Sequence, residues 1–131
     1  MNAIEPIPER NAVPQSAKWN LEDMYPTLEA WEQDFQAVQA LVKELAAFQG
    51  TLSDSPQQLL AYLQKSDTLT LLTDSLSNYA NRKSDEDTRI GKYQDLVSRV
   101  TGLYVEIGSA TAWDLPEIIH IPEETLLSFY E

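Results

Sequence analysis

The chain has 131 residues, long enough for one domain that buries roughly two thirds of its unfolded surface. It carries twenty-one acidic against nine basic residues, a formal net charge of -12, with the basic residues scattered, which excludes binding to phosphate backbones or anionic lipid as an expected role. Cysteine is absent, so disulfides and thiolate metal sites are excluded and the composition suits a reducing, cytoplasmic setting. No basic leader followed by an apolar run opens the sequence, and no apolar stretch approaches the ~20 residues that span a bilayer. A soluble acidic protein is expected, with neither nucleic-acid nor membrane partners.

In chain order, residues 1–18 hold Pro6, Pro8 and Pro14 and no helical period, which reads as an extended or disordered arm. Trp19-Asn20-Leu21-Glu22-Asp23-Met24-Tyr25-Pro26 then reads as a capped turn: Asn20 caps, Asp23 returns the contact, and Trp19 staples onto Met24. Pro26 ends it, because the residue before a proline is pushed out of the α region. From Thr27, a good N-cap, apolar residues recur at steps of three and four through Leu28, Trp31, Phe35, Val38, Leu41, Val42, Leu45 and Phe48, predicting a long helix that stops at Gly50. Both Trp19 and Trp31 are expected in the core.

Ser55-Pro56-Gln57-Gln58 combines a capping serine, a proline at the first helical position and a glutamine at the third, so a second helix starts here. Its expected stripe is Leu59, Leu63, Leu69, Leu72, Leu76 and Tyr79, running to about Asn81 or beyond. Ser84-Asp85-Glu86-Asp87 is expected to be the acidic start of a third helix, favourable to the helix dipole. The third stripe is Ile90, Tyr93, Val97, Val100, Tyr104, Ile107 and Thr111, reaching Trp113, with Gly91, Gly102 and Gly108 inside it as sites of close helix packing. Pro116 and Pro122 divide the remainder of the chain into a turn at Glu117 to His120 and a last helix with Leu126, Leu127, Phe129 and Tyr130. That apolar helix meets no capping residue, which suggests a cut inside a larger protein and a tendency to self-associate. The fold class is all-α: an antiparallel bundle of three long helices with short terminal helices.

Candidate chemistry is sparse. Glu117 and His120 have the Glu-x-x-His spacing of carboxylate-bridged metal sites, which need two such motifs and two more glutamates; one copy flanked by prolines reads better as a histidine in a turn bonded to a carboxylate. Asp85-Glu86-Asp87 has the alternating carboxylates of a calcium loop, yet Ile90 stands at the position that requires glycine, so a solvated helix start is the better reading. A lone histidine, no cysteine and no Gly-x-Ser-x-Gly leave no nucleophile arrangement, and no phosphate-binding glycine loop is present. No catalytic, cofactor-binding or metal-binding residue is expected in the chain.

Four stretches nevertheless carry a resemblance. The Trp19-to-Tyr25 block followed by Trp31-Glu32, then Leu45-Ala46-Ala47-Phe48-Gln49-Gly50, then Tyr79-Ala80 with Asp85-Glu86-Asp87-Thr88, then Leu115-Pro116-Glu117-Ile118-Ile119 with Ile121-Pro122-Glu123-Glu124, resemble in order and spacing the opening of the oligoendopeptidase F family, zinc metallopeptidases related to thimet oligopeptidase. The resemblance implies that 19–131 is the helical N-terminal domain of such an enzyme, which would help wall a channel for short peptides. It also implies a zinc cofactor for the full-length enzyme, with the catalytic domain of the same polypeptide and an oligopeptide substrate as partners. Zinc binding in that family needs H-E-x-x-H on a helix, where two imidazoles one turn apart hold the metal and the glutamate serves as base. That motif is absent from this sequence, so the chain alone is expected to be inactive. The competing expectation is a stand-alone acidic helical module that docks a partner helix.

Overall fold

A computed structural model describes residues 6–130. Its frame is three long helices, α1 (Leu28–Ala46), α2 (Pro56–Glu86) and α3 (Gly91–Thr111), followed by the short α4 (Asp114–His120) and α5 (Glu123–Ser128). One-turn 3-10 helices at Arg10–Ala12, Gln15–Ala17 and Leu21–Asp23 precede them, and the described residues contain no strand. The all-α expectation holds, three long helices included.

Local chemistry sets the starts of α1 and α2. Thr27 lies in the extended region and its hydroxyl accepts from the Ala30 amide at 3.1 Å; Ser55 does the same for Gln58 at 3.1 Å, with Pro56 at the first helical position. The Gln58 side chain does not reach back to the cap; its amide donates instead to the Thr51 hydroxyl at 2.8 Å, bracing the loop. α1 ends at Ala46, a turn before the expected stop, and Gly50 then takes φ +82°, the left-handed conformation that lets the chain reverse.

The three long helices pack on one another pairwise, and the cross-links run in opposite senses along adjacent helices. Trp31 near the start of α1 meets Leu76 far along α2, while Glu44 near the end of α1 meets Lys65 near the start of α2. Likewise Lys83 faces Tyr93 and Asp74 faces Tyr104 between α2 and α3. This is an antiparallel up-down-up arrangement. Trp31 is its centre: buried, stacked on Phe35 at 5.2 Å, and donating its indole N–H to the Leu76 carbonyl at 3.1 Å. Arg99 of α3 covers the Trp31 and Phe35 rings and forks onto Glu32 of α1 at 2.8 and 2.9 Å.

Several expectations are corrected. Ser84 to Asp87 do not open the third helix: Asp85 and Glu86 are the last residues of α2, and α3 begins four residues after Asp87, at Gly91. Carboxylates there oppose the helix dipole, and nearby cations offset them, as Arg10 and Lys83 do for Glu86 and Arg82 does for Asp85. Trp19 is 72 % exposed rather than in the core, with the Arg82 guanidinium 5.8 Å from its ring centroid. Asn20 makes no cap bond to the backbone; its side chain donates to Asp23 at 2.7 Å. On α2 the buried face is Tyr62, Leu69, Thr73, Leu76, Tyr79, Ala80 and Lys83, and Leu63 is exposed. On α3 the buried residues are Leu96, Val100 and Leu103, whereas Tyr104 is exposed. The expected turn at Glu117 to His120 belongs to the short helix α4, with Pro116 in its first turn, where a missing N–H costs no helical bond. Gly91, Gly102 and Gly108 have open space where a Cβ would stand, so none mediates close packing.

Residues 6–18, the described part of the expected arm, hold two of the 3-10 turns and reach the bundle through Arg10 to Glu86 at 2.5 Å and Glu9 to Arg89 at 2.6 Å. No helix among the described residues is long and apolar enough to cross a membrane.

Glycine positions give opposite predictions. Gly102→Ala and Gly108→Ala should each stabilise the fold by up to about 1 kcal/mol, since both sites are helical and open. Gly50→Ala should cost about 1–2 kcal/mol through its positive φ alone. Urea unfolding of the three variants checks both signs.

Candidate functional site

The only histidine lies in the neighbourhood singled out from the sequence. His120, at the end of α4, donates from Nδ1 to the Pro116 carbonyl at 2.6 Å, and not to a carboxylate as expected. Glu117, one turn earlier, is fully engaged: Oε2 accepts from the Gly50 amide at 2.7 Å and Oε1 from the Leu52 amide at 3.0 Å. Glu117 is therefore a clasp that ties the α1–α2 loop to α4. The two side chains line one shallow recess with Ser53, Ile121 and Pro122. A metal there would have to displace both amides from Glu117 and find further ligands. Among the described residues no three His, Asp or Glu side chains come together in a metal-binding group.

Behind the clasp lies an aromatic cluster that the sequence reading missed. Tyr62 is buried between Phe48 at 5.7 Å and Trp113 at 5.4 Å, and its hydroxyl donates to Asp114 at 2.7 Å. Burial and the Asp114 carboxylate both push the phenol well above its ordinary value. Tyr25 is held the same way by burial and by Asp34, to which it donates at 2.8 Å. The signal for Tyr62 was available: a step of seven back from Leu69 reaches residue 62, whereas residue 63 sits on the solvent face.

Asp85, Glu86 and Asp87 do not pool their charge. Each takes its own cation: Asp85 pairs with Arg82 at 3.3 Å, Glu86 with Arg10, and Asp87 with Arg89 at 2.7 Å. The Arg89 side chain, helped by its backbone amide, draws the Asp87 carboxyl down to about 2. Lys83, buried and missed by the sequence reading, pairs with Glu22 at 2.6 Å and lies over the Tyr79 and Tyr93 rings. Burial works against its charge, and its bond to Glu22 and the field of Glu86 overcome this, leaving the ammonium above its ordinary value. Such satisfied pairs hold elements together.

The surface also carries two depressions of interest. One, lined by Arg10, Trp19, Leu21 and Arg82 among others, sits where the N-terminal arm meets α2. The other is an apolar groove of about 220 Å³ between the first turns of α2 and α5, formed by Leu59, Leu60, Leu63, Leu126, Phe129 and Tyr130. Leu60 is 54 % and Leu63 43 % exposed there.

Removing the clasp by Glu117→Ala leaves two loop amides without their acceptor and should cost about 1–3 kcal/mol, read as a lowered denaturation midpoint. The pH profile of stability comes from the shifted groups. Glu22 and Glu32 sit below their ordinary 4.5 through their bonds from Lys83 and Arg99, so their contribution is present above that pH and is lost as pH falls through the lowered values. Tyr25 and Tyr62 sit above 10.0, so their contribution is complete below pH 10 and is lost as pH rises further. Thermal melts should show a plateau from about pH 5 to about pH 10, with the alkaline limb flattened in Tyr25→Phe/Tyr62→Phe.

Against known proteins, the chain is 38 % identical over 123 residues to "Oligopeptidase PepF" of Bacillus subtilis, covering 94 % of this chain and 18 % of that protein. It is 35 % identical over 118 residues to "Oligoendopeptidase F, plasmid" of Lactococcus lactis subsp. cremoris, covering 88 % and 19 %, and 28 % identical over 120 residues to "Group B oligopeptidase PepB" of Streptococcus agalactiae, covering 92 % and 20 %. The chain thus spans about a fifth of the length of the curated relatives it matches. No protein-family model matches the chain, and no solved structure does.

Proposed function

Because the chain is a relative of the oligoendopeptidase F family and matches its N-terminal part, we propose that it serves as the N-terminal helical domain of an oligoendopeptidase, helping wall the channel that admits short peptides. Residues 19–131 form that domain in this reading, and 1–18 an arm leading into it. The observation that carries the proposal is the match itself, continuous over nine-tenths of this chain and confined to one-fifth of each relative. The structure adds support of a physical kind. A bundle whose polar groups are spent on internal pairs is a rigid wall rather than a reaction centre.

The zinc of such an enzyme does not fit the residues of this chain. The donor set holds one imidazole, with Nδ1 engaged by Pro116, and the carboxylate one turn away already holds two amides. Peptide-bond cleavage therefore falls to residues outside 1–131, and the domain contributes shape. An oligopeptide reaching those residues would pass a surface of strong negative charge, which favours substrates with basic side chains.

The isolated chain should neither cleave a fluorogenic oligopeptide in the presence of zinc nor keep zinc through dialysis. Zinc retained at one per chain, and lost in His120→Ala, would overturn the proposal. A second test replaces the matching segment of the B. subtilis enzyme by residues 19–131. The chimera should cleave short peptides and spare folded proteins, whereas deletion of the segment should abolish that discrimination. Unchanged size selection in the deletion would refute the wall and leave the stand-alone docking module as the better reading.

A further inference from the structure

Little in the network of paired charges is free for a partner; the groove between α2 and α5 is. Leu59, Leu60 and Leu63 present one side of the first turns of α2, and Leu126, Phe129 and Tyr130 present the facing side from the end of the described chain. Leu60, Leu63 and Tyr130 are exposed, Tyr130 almost completely. Clustered apolar side chains held open to water by two helices are what an interface looks like before its partner arrives.

We infer that this groove is a docking seat for an apolar segment with basic flanks, supplied by the part of the peptidase polypeptide that lies outside residues 1–131. The inference rests on the proposed domain role and names the contact that role requires. Three observations select this occupant. The relatives extend about five times the length of this chain, so most of their surface lies beyond the matched part. Tyr130, the last described residue, is itself a wall of the groove, so anything joined to the chain there emerges on top of it. The residues that lead into the two helices of the groove are acidic: Asp54 precedes α2, and Glu123 and Glu124 open α5, all three exposed. Against a net charge of -12, a second copy of this chain is repelled and a basic-flanked segment is drawn in.

The absence of cysteine makes the test direct. Leu60→Cys places a single thiol in the groove, and Ser98→Cys places one on the exposed face of α3 as a control. Each is alkylated with iodoacetamide in the isolated chain and in the B. subtilis chimera, and the modified peptide is followed by mass spectrometry. The expected result is a rate at Leu60→Cys at least about tenfold slower in the chimera than in the isolated chain, with Ser98→Cys unchanged. Equal rates at Leu60→Cys in an active chimera would overturn the groove while leaving the domain reading intact. An inactive chimera would strike at the domain reading instead. Slow alkylation in the isolated chain that relaxes on dilution would show a second copy in the seat, and would also overturn the inference.

A further measurement needs no chimera. The isolated chain should enhance the fluorescence of an apolar dye such as anilinonaphthalene sulfonate, and Leu60→Asp/Leu63→Asp should remove most of that enhancement without lowering the melting temperature. Undiminished dye fluorescence in the double variant would mean that the groove is not an accessible apolar seat.

Discussion

The fold depends on one buried hydrogen bond, from the Trp31 indole to the Leu76 carbonyl. A helix interior offers few places to fasten a neighbour, because its backbone groups are committed to one another. A carbonyl has two lone pairs, however, and that of Leu76 accepts the indole besides its place in α2. The bond fixes the register of α1 on α2, and the stacked Phe35 extends the flat surface on which Arg99 of α3 lies. One aromatic side chain thereby sets the position of all three long helices. Its large apolar area supplies the energy, and the single polar atom supplies the alignment.

A division of labour runs through the rest of the molecule. Apolar stripes hold α1, α2 and α3, while paired charges hold the parts that have little apolar area to bury. The N-terminal turns are tied by Arg10, Lys83 and Arg89, and the α1–α2 loop is tied by Glu117. This explains how so acidic a chain keeps its periphery in place: Arg10, Lys83 and Arg89 sit where an element would otherwise be loose. Glu117 shows the pattern at a single residue, its two oxygens each accepting a loop amide.

Helix starts were legible in the sequence because capping is a local code. Thr27 and Ser55-Pro56 name their positions without help from the rest of the chain, and the relation to oligoendopeptidases was carried by the same short stretches. The third start was misread for a physical reason. A run of carboxylates matches the positive end of a helix, and only the folded structure shows Arg10, Arg82 and Arg89 arriving to neutralise it at the negative end. Faces were harder still. A seven-residue step through Leu69 and Leu76 reaches both Tyr62 and Lys83, yet the partners that settle a phenol and an ammonium there, Trp113 in one case and Glu22 in the other, lie outside α2. Trp19 errs the other way, an indole that looks like core and instead lies on the surface near an arginine. The groove was foreshadowed only in part, through the apolar last helix.

The Glu117 clasp also bears on how the chain is made. The amides it satisfies belong to Gly50 and Leu52, separated from it by 67 and 65 residues. As the polypeptide leaves the ribosome, α1 and α2 can pair as soon as Leu76 is out, with the loop between them braced by Gln58 on Thr51 but lacking its Glu117 bonds until α4 has also emerged. The last bonds of the α1–α2 loop therefore come from the far end of the chain, and its finish depends on residues made long after it.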